Sequence, residues 1–223
     1  MSVHFQREVE RLQKQILLLG AEVEACVHDA VAAVEGREAA LAQSVIDREP
    51  ATNVHEVDVE EECLKILALH QPVAGDLRYI IAVLKINQDL ERIGDLAVHI
   101  AERALRLQGR PPLPEAAALV DMGAKAQWML QHSLDALVQV NVVMARAVLT
   151  ADETMDALNR LIMERVQNGI RSDAANVDSY LQIMHIARHL ERIGDHATNI
   201  AEDLIYLIEG EIVRHQPVVP AAG

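Results

Sequence analysis

The chain has 223 residues and a formal net charge of −14 at pH 7. Nucleic-acid backbones and anionic membrane surfaces would repel such a chain over a Debye length, so we expect neither as a direct ligand. Hydrophobic residues make up 51% of the sequence but aromatic residues only 2%. The interior must therefore be built from Leu, Ile, Val, Ala and Met, a composition more typical of packed helices than of sheets.

The sequence carries no signal that would direct it to a membrane. Residues 1–11 mix Glu, Arg and Gln without the apolar core of a signal peptide. No later apolar run approaches the roughly 18 residues that span a bilayer. Cys26 and Cys63 lack CxxC spacing, so neither a zinc knuckle nor a redox pair is indicated. We expect a cytoplasmic protein without direct membrane insertion, and with two buried thiols.

Three helical regions are predicted in the first half. Apolar residues recur three and four positions apart from about residue 5 to 35, which predicts one long helix ending at Gly36. Pro50 lacks a backbone N–H and suits only the first turn of a helix, so the next segment is predicted to form two helices, at 38–47 and from Pro50 to about residue 70. Asp76 is an N-cap candidate for a long helix that continues to about residue 107.

The second half repeats this order after a Pro-rich linker at residues 110–114. Helices are predicted at 115–148, 152–168 and 177–209, with a flexible tail at 210–223. No stretch alternates with period two for long enough to demand a strand. The expected fold class is all-α, with two tandem homologous three-helix bundles of antiparallel helices, at residues 1–109 and 115–209.

One sequence occurs twice, as LERIGDLAVHIAE at residues 90–102 and LERIGDHATNIAE at residues 190–202. Shared helix composition alone would not produce this agreement, so two homologous halves are indicated. The copies differ at three positions, where Leu96, Val98 and His99 correspond to His196, Thr198 and Asn199.

Each copy predicts an amphipathic helix with an acidic stripe. Acidic side chains four residues apart on a helix repel each other by a few tenths of a kcal/mol. Helix stability therefore does not explain why Glu91 is paired with Asp95, or Glu191 with Asp195. A hard or borderline cation needs several converging oxygen ligands, and one such pair of carboxylates supplies only some of them. A neighbouring helix would have to supply the other ligands. The second half offers Asp152 and Asp156 as candidates. In the first half the corresponding residues are Glu49 and Asn53, with Glu56 and Glu60 further along, and His99 and Asn199 lie one turn beyond the stripes.

Other interpretations of the stripes remain open. They could be ordinary solvated helix faces paired with Arg92, Arg103 and Arg192, with Asp152 serving as an N-cap. A ferritin-like di-iron core is disfavoured because no Glu stands three residues before a His. The sequence also lacks the P-loop, GxSxG and HExxH signatures, so we do not expect an enzyme.

These segments, together with residues 71–78 (QPVAGDLR), closely resemble the PhoU family of bacterial phosphate-transport accessory proteins, and the resemblance extends to about residue 209. It implies a twofold repeat of three-helix bundles, a cytoplasmic location and frequent dimerisation. It also implies repression of the phosphate-starvation response when phosphate is plentiful, by joining the ATPase of the phosphate ABC transporter to the sensor histidine kinase.

The resemblance further implies multinuclear iron or zinc clusters on E(D)xxxD motifs. In this chain those motifs are Glu91 with Asp95, Glu191 with Asp195, and Asp152 with Asp156. The segment from Glu49 to Asn53 departs from the pattern, because it ends in Asn and contains a proline, so the second half fits a metal better.

The leading functional hypothesis is therefore a non-enzymatic regulator whose acidic faces bind metal or the basic surface of a partner. A metal-binding or metal-storage protein and a purely structural partner-binding bundle are the alternatives.

Overall fold

The computed structural model describes residues 3–210 and residue 213. Within that part of the chain the fold is all-α, as predicted, with six long helices and no strand. The helices are α1 (Val3–Gly36), α2 (Ala39–His70), α3 (Ala74–Arg106), α4 (Ala117–Gln139), α5 (Val142–Ser172) and α6 (Val177–Glu209). Short 3-10 turns precede α4 at Pro114–Ala116 and α6 at Ala174–Asn176. The predicted flexible tail lies outside the described residues except at positions 210 and 213.

The fold consists of two tandem three-helix bundles, α1–α3 and α4–α6, whose apolar stripes meet in one continuous core. In α1 the buried residues recur at helical spacing, as shown by Leu12, Ile16 and Leu19, and this is the pattern that predicted the helix. Burying each such side chain contributes about 1.5–3 kcal/mol to folding. The shared core holds the two bundles together.

Helices α3 and α6, which carry the repeated sequence, pack against each other across the boundary between the halves. Lys85 lies 3.1 Å from Asp203, and Asn199 lies 3.2 Å from Asp89. As residue numbers rise along α3, those of the contacting residues fall along α6, so the two helices run antiparallel. Lys85 and Asp89 of the first half are therefore paired with residues of the second half.

The predicted break in the second helical region is wrong, because α2 runs unbroken through Pro50. A proline inside a helix costs about 3 kcal/mol. Pro50 lies on the exposed side, while Val45, Thr52 and Val59 on the same helix are buried against the rest of the bundle. Burial on both sides of the proline outweighs the lost backbone hydrogen bond.

The predicted helix at 115–148 is also wrong, because it is divided between α4 and α5. Val140 adopts a left-handed conformation with φ +51°, which ends α4. Asn141 then caps α5, since its Oδ1 accepts hydrogen bonds from the backbone N–H groups of Val143 at 3.0 Å and Met144 at 3.2 Å. Asp152 consequently lies inside α5 and is not an N-cap.

The start of α3 differs slightly from the prediction. Val73 occupies the N-cap position, and Asp76 lies in the first turn. A carboxylate there still interacts favourably with the positive end of the helix dipole. The prediction for α6, residues 177–209, is confirmed.

Glycines at equivalent positions of the two repeats have different surroundings. A Cβ atom on Gly194 would lie 3.2 Å from Met155 Cγ and 3.4 Å from Met129 Sδ, so this glycine permits close packing of α6 against α4 and α5. Among the residues that the structure describes, a Cβ atom on Gly94 would meet only Val23 Cγ2, at 3.9 Å. Close helix approach therefore accounts for one glycine of the repeat and not for the other.

None of the helices in the described chain has the length and apolar character needed to cross a membrane.

Candidate functional site

The second-half residues predicted from the repeat lie together between α5 and α6. We call Asp152, Asp156, Glu191 and Asp195 the α5–α6 carboxylate cluster. Burial, followed by the charges of Asp156 and Glu191, raises the pKa of Asp152. Asp195 lies at the surface, but the adjoining protein still limits its solvation, and with the charges of Asp152 and Glu191 this raises its pKa. Four like charges are thus brought close enough to oppose one another's ionisation.

The first half contains a similar group, and its α2 members are Glu56 and Glu60, the carboxylates further along the helix than Glu49 and Asn53. We call Glu56, Glu60, Glu91 and Asp95 the α2–α3 carboxylate cluster. The pKa of Glu56 is raised by burial and then by the charges of Glu60 and Glu91. The pKa of Glu91 is raised by burial and then by the charge of Asp95. Glu56 therefore supplies the α2 carboxylate near Glu91, whereas Glu49 is half-buried and Asn53 is exposed.

Glu56 is held in place by Asn87, a buried residue one turn before Glu91 on α3. The Nδ2 group of Asn87 donates to the Glu56 Oε1 atom at 2.7 Å and to the Glu56 backbone carbonyl at 3.0 Å. A buried polar side chain that ties the two helices together fixes the position of the carboxylate beside it. Sequence reasoning missed this contact, because it joins residues 31 positions apart.

Arginines partly neutralise the carboxylate clusters. Arg92 lies 3.3 Å from a Glu91 oxygen and 3.7 Å from an Asp95 oxygen, as the solvated-face interpretation anticipated. In the other half Arg160 lies 3.6 Å from an Asp156 oxygen. These arginines are largely exposed, so each pair contributes at most about 1 kcal/mol.

His99 and Asn199, predicted as additional metal donors, contact residues outside the two carboxylate clusters. The Nδ2 group of Asn199 donates to Asp89 Oδ1 at 3.2 Å, and His196 Nδ1 lies 2.8 Å from the same oxygen. The ring of His99 lies beside that of His189, with centroids 5.4 Å apart. Both residues occupy positions where the two repeats differ, and that difference was the sequence signal for contacts between the halves.

The carboxylate clusters contain the chemical groups that bind a cation, but these groups are not arranged around one point. Among residues 3–210 and 213, no three His, Cys, Asp or Glu side chains are arranged to hold a metal ion. Carboxylate oxygens are nevertheless suitable ligands for iron and zinc, and a cation would relieve the mutual repulsion that raises these pKa values. Metal binding remains a prediction, which would require the side chains of a cluster to turn towards one another.

Fold and site together define an all-α protein built from two repeated three-helix bundles, each carrying an acidic cluster between its second and third helices. Residues 16–104 and 119–204 match the PhoU domain. The chain belongs to the PhoU family.

Individual relatives agree with this assignment over nearly the whole chain. A phosphate-specific transport system accessory protein PhoU homolog from Pseudomonas aeruginosa is 38% identical over 216 residues, which are 96% of this chain and 89% of that protein. The homolog from Aquifex aeolicus is 36% identical over 212 residues, covering 95% and 96% of the two chains. PhoU from Escherichia coli is 32% identical over 215 residues, covering 96% and 89%.

Solved structures show the same fold. The crystal structure of PhoU from Pseudomonas aeruginosa matches with a TM-score of 0.90 and 38% identity, covering 93% of this chain and 100% of that one. The phosphate transport system regulatory protein PhoU from Streptococcus pneumoniae matches with a TM-score of 0.86 and 30% identity, covering 94% and 99%.

Proposed function

We propose that this protein is a non-enzymatic regulator that restrains phosphate uptake and lowers the output of a sensor histidine kinase when phosphate is sufficient. The observation that carries the proposal is full-length similarity to PhoU proteins, of which one is described as a phosphate transport system regulatory protein and others as transport accessory proteins. A cytoplasmic location and a homodimeric state belong to the same proposal.

The fold suits an adaptor that binds two partners. Its continuous core holds the two halves together, and each half presents a carboxylate cluster built from equivalent helices. Because the clusters differ in detail, they can prefer different partners while using the same electrostatic attraction. We assign one partner to the ATPase of the phosphate ABC transporter and the other to the kinase, each contributing a basic surface.

Binding measurements with purified components test this role. The protein would be immobilised and titrated separately with the transporter ATPase and with the cytoplasmic part of the kinase. Reversing a charge in each cluster, Glu91→Lys or Glu191→Lys, should weaken binding of at least one partner by about tenfold, or 1.4 kcal/mol. Glu164→Lys, an exposed site on α5 outside the clusters, is the matched control and should leave both affinities unchanged.

Two results would contradict the proposal at different levels. If the unmodified protein binds neither component, the adaptor role is wrong. If both components bind and neither affinity responds to either reversal in the clusters, the adaptor role stands but the carboxylates are not its binding surface.

A second role, cation binding by the α5–α6 carboxylate cluster, is supported by the mutually raised pKa values of Asp152 and Asp195. Asp152, Asp156, Glu191 and Asp195 would hold the ion, and iron and zinc are the candidates. The bound ion would neutralise the cluster and so change the charge that this face presents to a partner.

A further inference from the structure

Helices α3 and α6 also carry a concentration of arginine and histidine side chains that is unexpected in a chain with a net charge of −14. We call it the basic cluster, and its members are His99, Arg103, Arg106, His185, Arg188, His189 and Arg192. The charges of His99, Arg103, His185 and Arg192 all act on His189. Those of Arg103, Arg188 and Arg106 act on His185. Residues from both halves of the chain are thus close neighbours.

The arginines of this cluster are not neutralised by carboxylates of the described residues. Within the described part of the chain, none of Arg103, Arg106, Arg188 and Arg192 forms an ion pair with a carboxylate. This differs from the solvated-face interpretation, in which Arg103 and Arg192 were expected to pair with the acidic stripes. Unpaired like charges on two packed helices repel one another, so an anion placed among them would be stabilising.

Three buried nitrogen atoms in the cluster have no hydrogen-bond partner among the residues that the structure describes. They are both ring nitrogens of His189 and the Nε atom of Arg103. Leaving a buried donor unpaired costs about 1–3 kcal/mol, and native proteins rarely accept that cost without a ligand, ion or water to satisfy the group. The unpaired atoms lie on facing helices, so one ligand between the helices could satisfy donors from both.

We propose that Arg103, His185 and His189, with His99 at the edge, form a binding site for a phosphate-class oxyanion. The ligand would be free phosphate or the phosphoryl group of a larger molecule. This inference rests on the geometry of α3 and α6 and does not depend on the regulatory role proposed above.

The donor set favours a phosphoryl group over a carboxylate. A guanidinium offers parallel N–H donors that pair bidentately with oxyanions, and imidazole rings from the opposite helix add donors from another direction. A carboxylate has two oxygens in one plane, whereas a phosphoryl group has three or four acceptor oxygens arranged tetrahedrally. Donors that approach from two helices therefore match the tetrahedral ligand better.

Isothermal titration calorimetry at low ionic strength tests the site, with inorganic phosphate, pyrophosphate, ATP and acetate titrated separately into the full-length protein. We expect one phosphoryl ligand per chain and weaker binding of acetate. Arg103→Gln and His189→Gln should each reduce affinity by about tenfold or more. Arg165→Gln removes the same charge from an exposed site on α5 and should have no effect.

The titrations also distinguish the source of the phosphoryl group. Binding of inorganic phosphate would identify the free ion, whereas binding of pyrophosphate or ATP without inorganic phosphate would identify a larger ligand. The proposal would be overturned if none of the three phosphoryl ligands bound. It would also be overturned if Arg103→Gln and His189→Gln left the affinities unchanged, or if acetate bound as tightly as the phosphoryl ligands.

A second measurement covers the case in which these variants do not fold. The exposed residues Arg188 and Arg192 can be changed to Gln without disturbing the core, and the double variant should weaken the same binding. In the unmodified protein, NMR signals of the His189 and His99 rings should shift when the ligand is added, while those of His28, an exposed residue on α1, should not. Ring signals that stay unchanged during saturable binding would place the ligand elsewhere.

Discussion

His189 should make the folded protein less stable as the pH falls below about 6.5. Burial, followed by the charges of His99 and Arg103, lowers the pKa of His189 from 6.5 to about 4. In the folded protein the ring stays neutral down to about pH 4, whereas in the unfolded chain it takes up a proton at about pH 6.5. The unfolded state therefore binds more protons between these values, so folding stability is full above about pH 6.5 and falls as the pH drops towards 4.

The expected loss of folding stability follows from the size of the pKa shift of His189. Each pKa unit corresponds to about 1.4 kcal/mol, so the fall from 6.5 to about 4 gives an upper value of about 3 kcal/mol. His189 is only half-buried, and solvent screening reduces the expected loss to about 2 kcal/mol. Replacing the ring with an uncharged side chain, as in His189→Gln, should remove this part of the pH dependence.

Urea unfolding followed by circular dichroism measures the effect, in phosphate-free buffer at about pH 7 and about pH 4.5. Other groups titrate in this range, so the informative quantity is the loss of stability in the unmodified protein minus that in His189→Gln. We expect a difference of about 2 kcal/mol. His28→Gln, at an exposed position on α1, is the control and should lose as much as the unmodified protein. Equal losses in all three proteins would refute the reasoning.

Two further predictions concern the repeated segment. If the carboxylate clusters bind iron or zinc, the double variant Asp95→Asn with Asp195→Asn should lose the metal found in protein purified from its host, and full metal content measured by mass spectrometry would contradict the ligand assignment. The glycines of the repeat should respond differently to alanine, because helix propensity favours alanine by about 0.8–1 kcal/mol at both sites. Thermal unfolding should show that Gly94→Ala is more stable than the unmodified protein. In Gly194→Ala, the contacts of the new Cβ atom with Met155 and Met129 should remove most or all of that gain. Equal shifts in melting temperature would disprove this steric explanation.

The helices were predictable wherever the apolar spacing is regular. In α1 and α6 the buried positions follow one stripe, so both helices matched their predictions closely. Pro50 misled the prediction because local backbone preference was given more weight than burial on either side of it. The break at Val140 and Asn141 was missed because the apolar spacing continues across it. Asn is a preferred N-cap residue, so Asn141 was the available sign that a new helix begins there.

The sites were predictable only within a single helix. The i, i+4 pairs located Glu91 with Asp95 and Glu191 with Asp195, but the residue facing Glu91 depends on the register of α2 against α3, which spacing does not fix. The basic cluster was missed for a related reason, since it forms only when α3 and α6 pack. Three of its four α6 members, His185, His189 and Arg192, share one helix face, and that spacing was the available signal.

The regulatory role is tested most directly by alkaline phosphatase activity in the native host, with this gene deleted, during growth in phosphate-rich medium. The account predicts high activity that returns to the low level when the gene is restored. Activity that stays low in the deletion strain would contradict the claim that this protein is required to restrain the phosphate-starvation response.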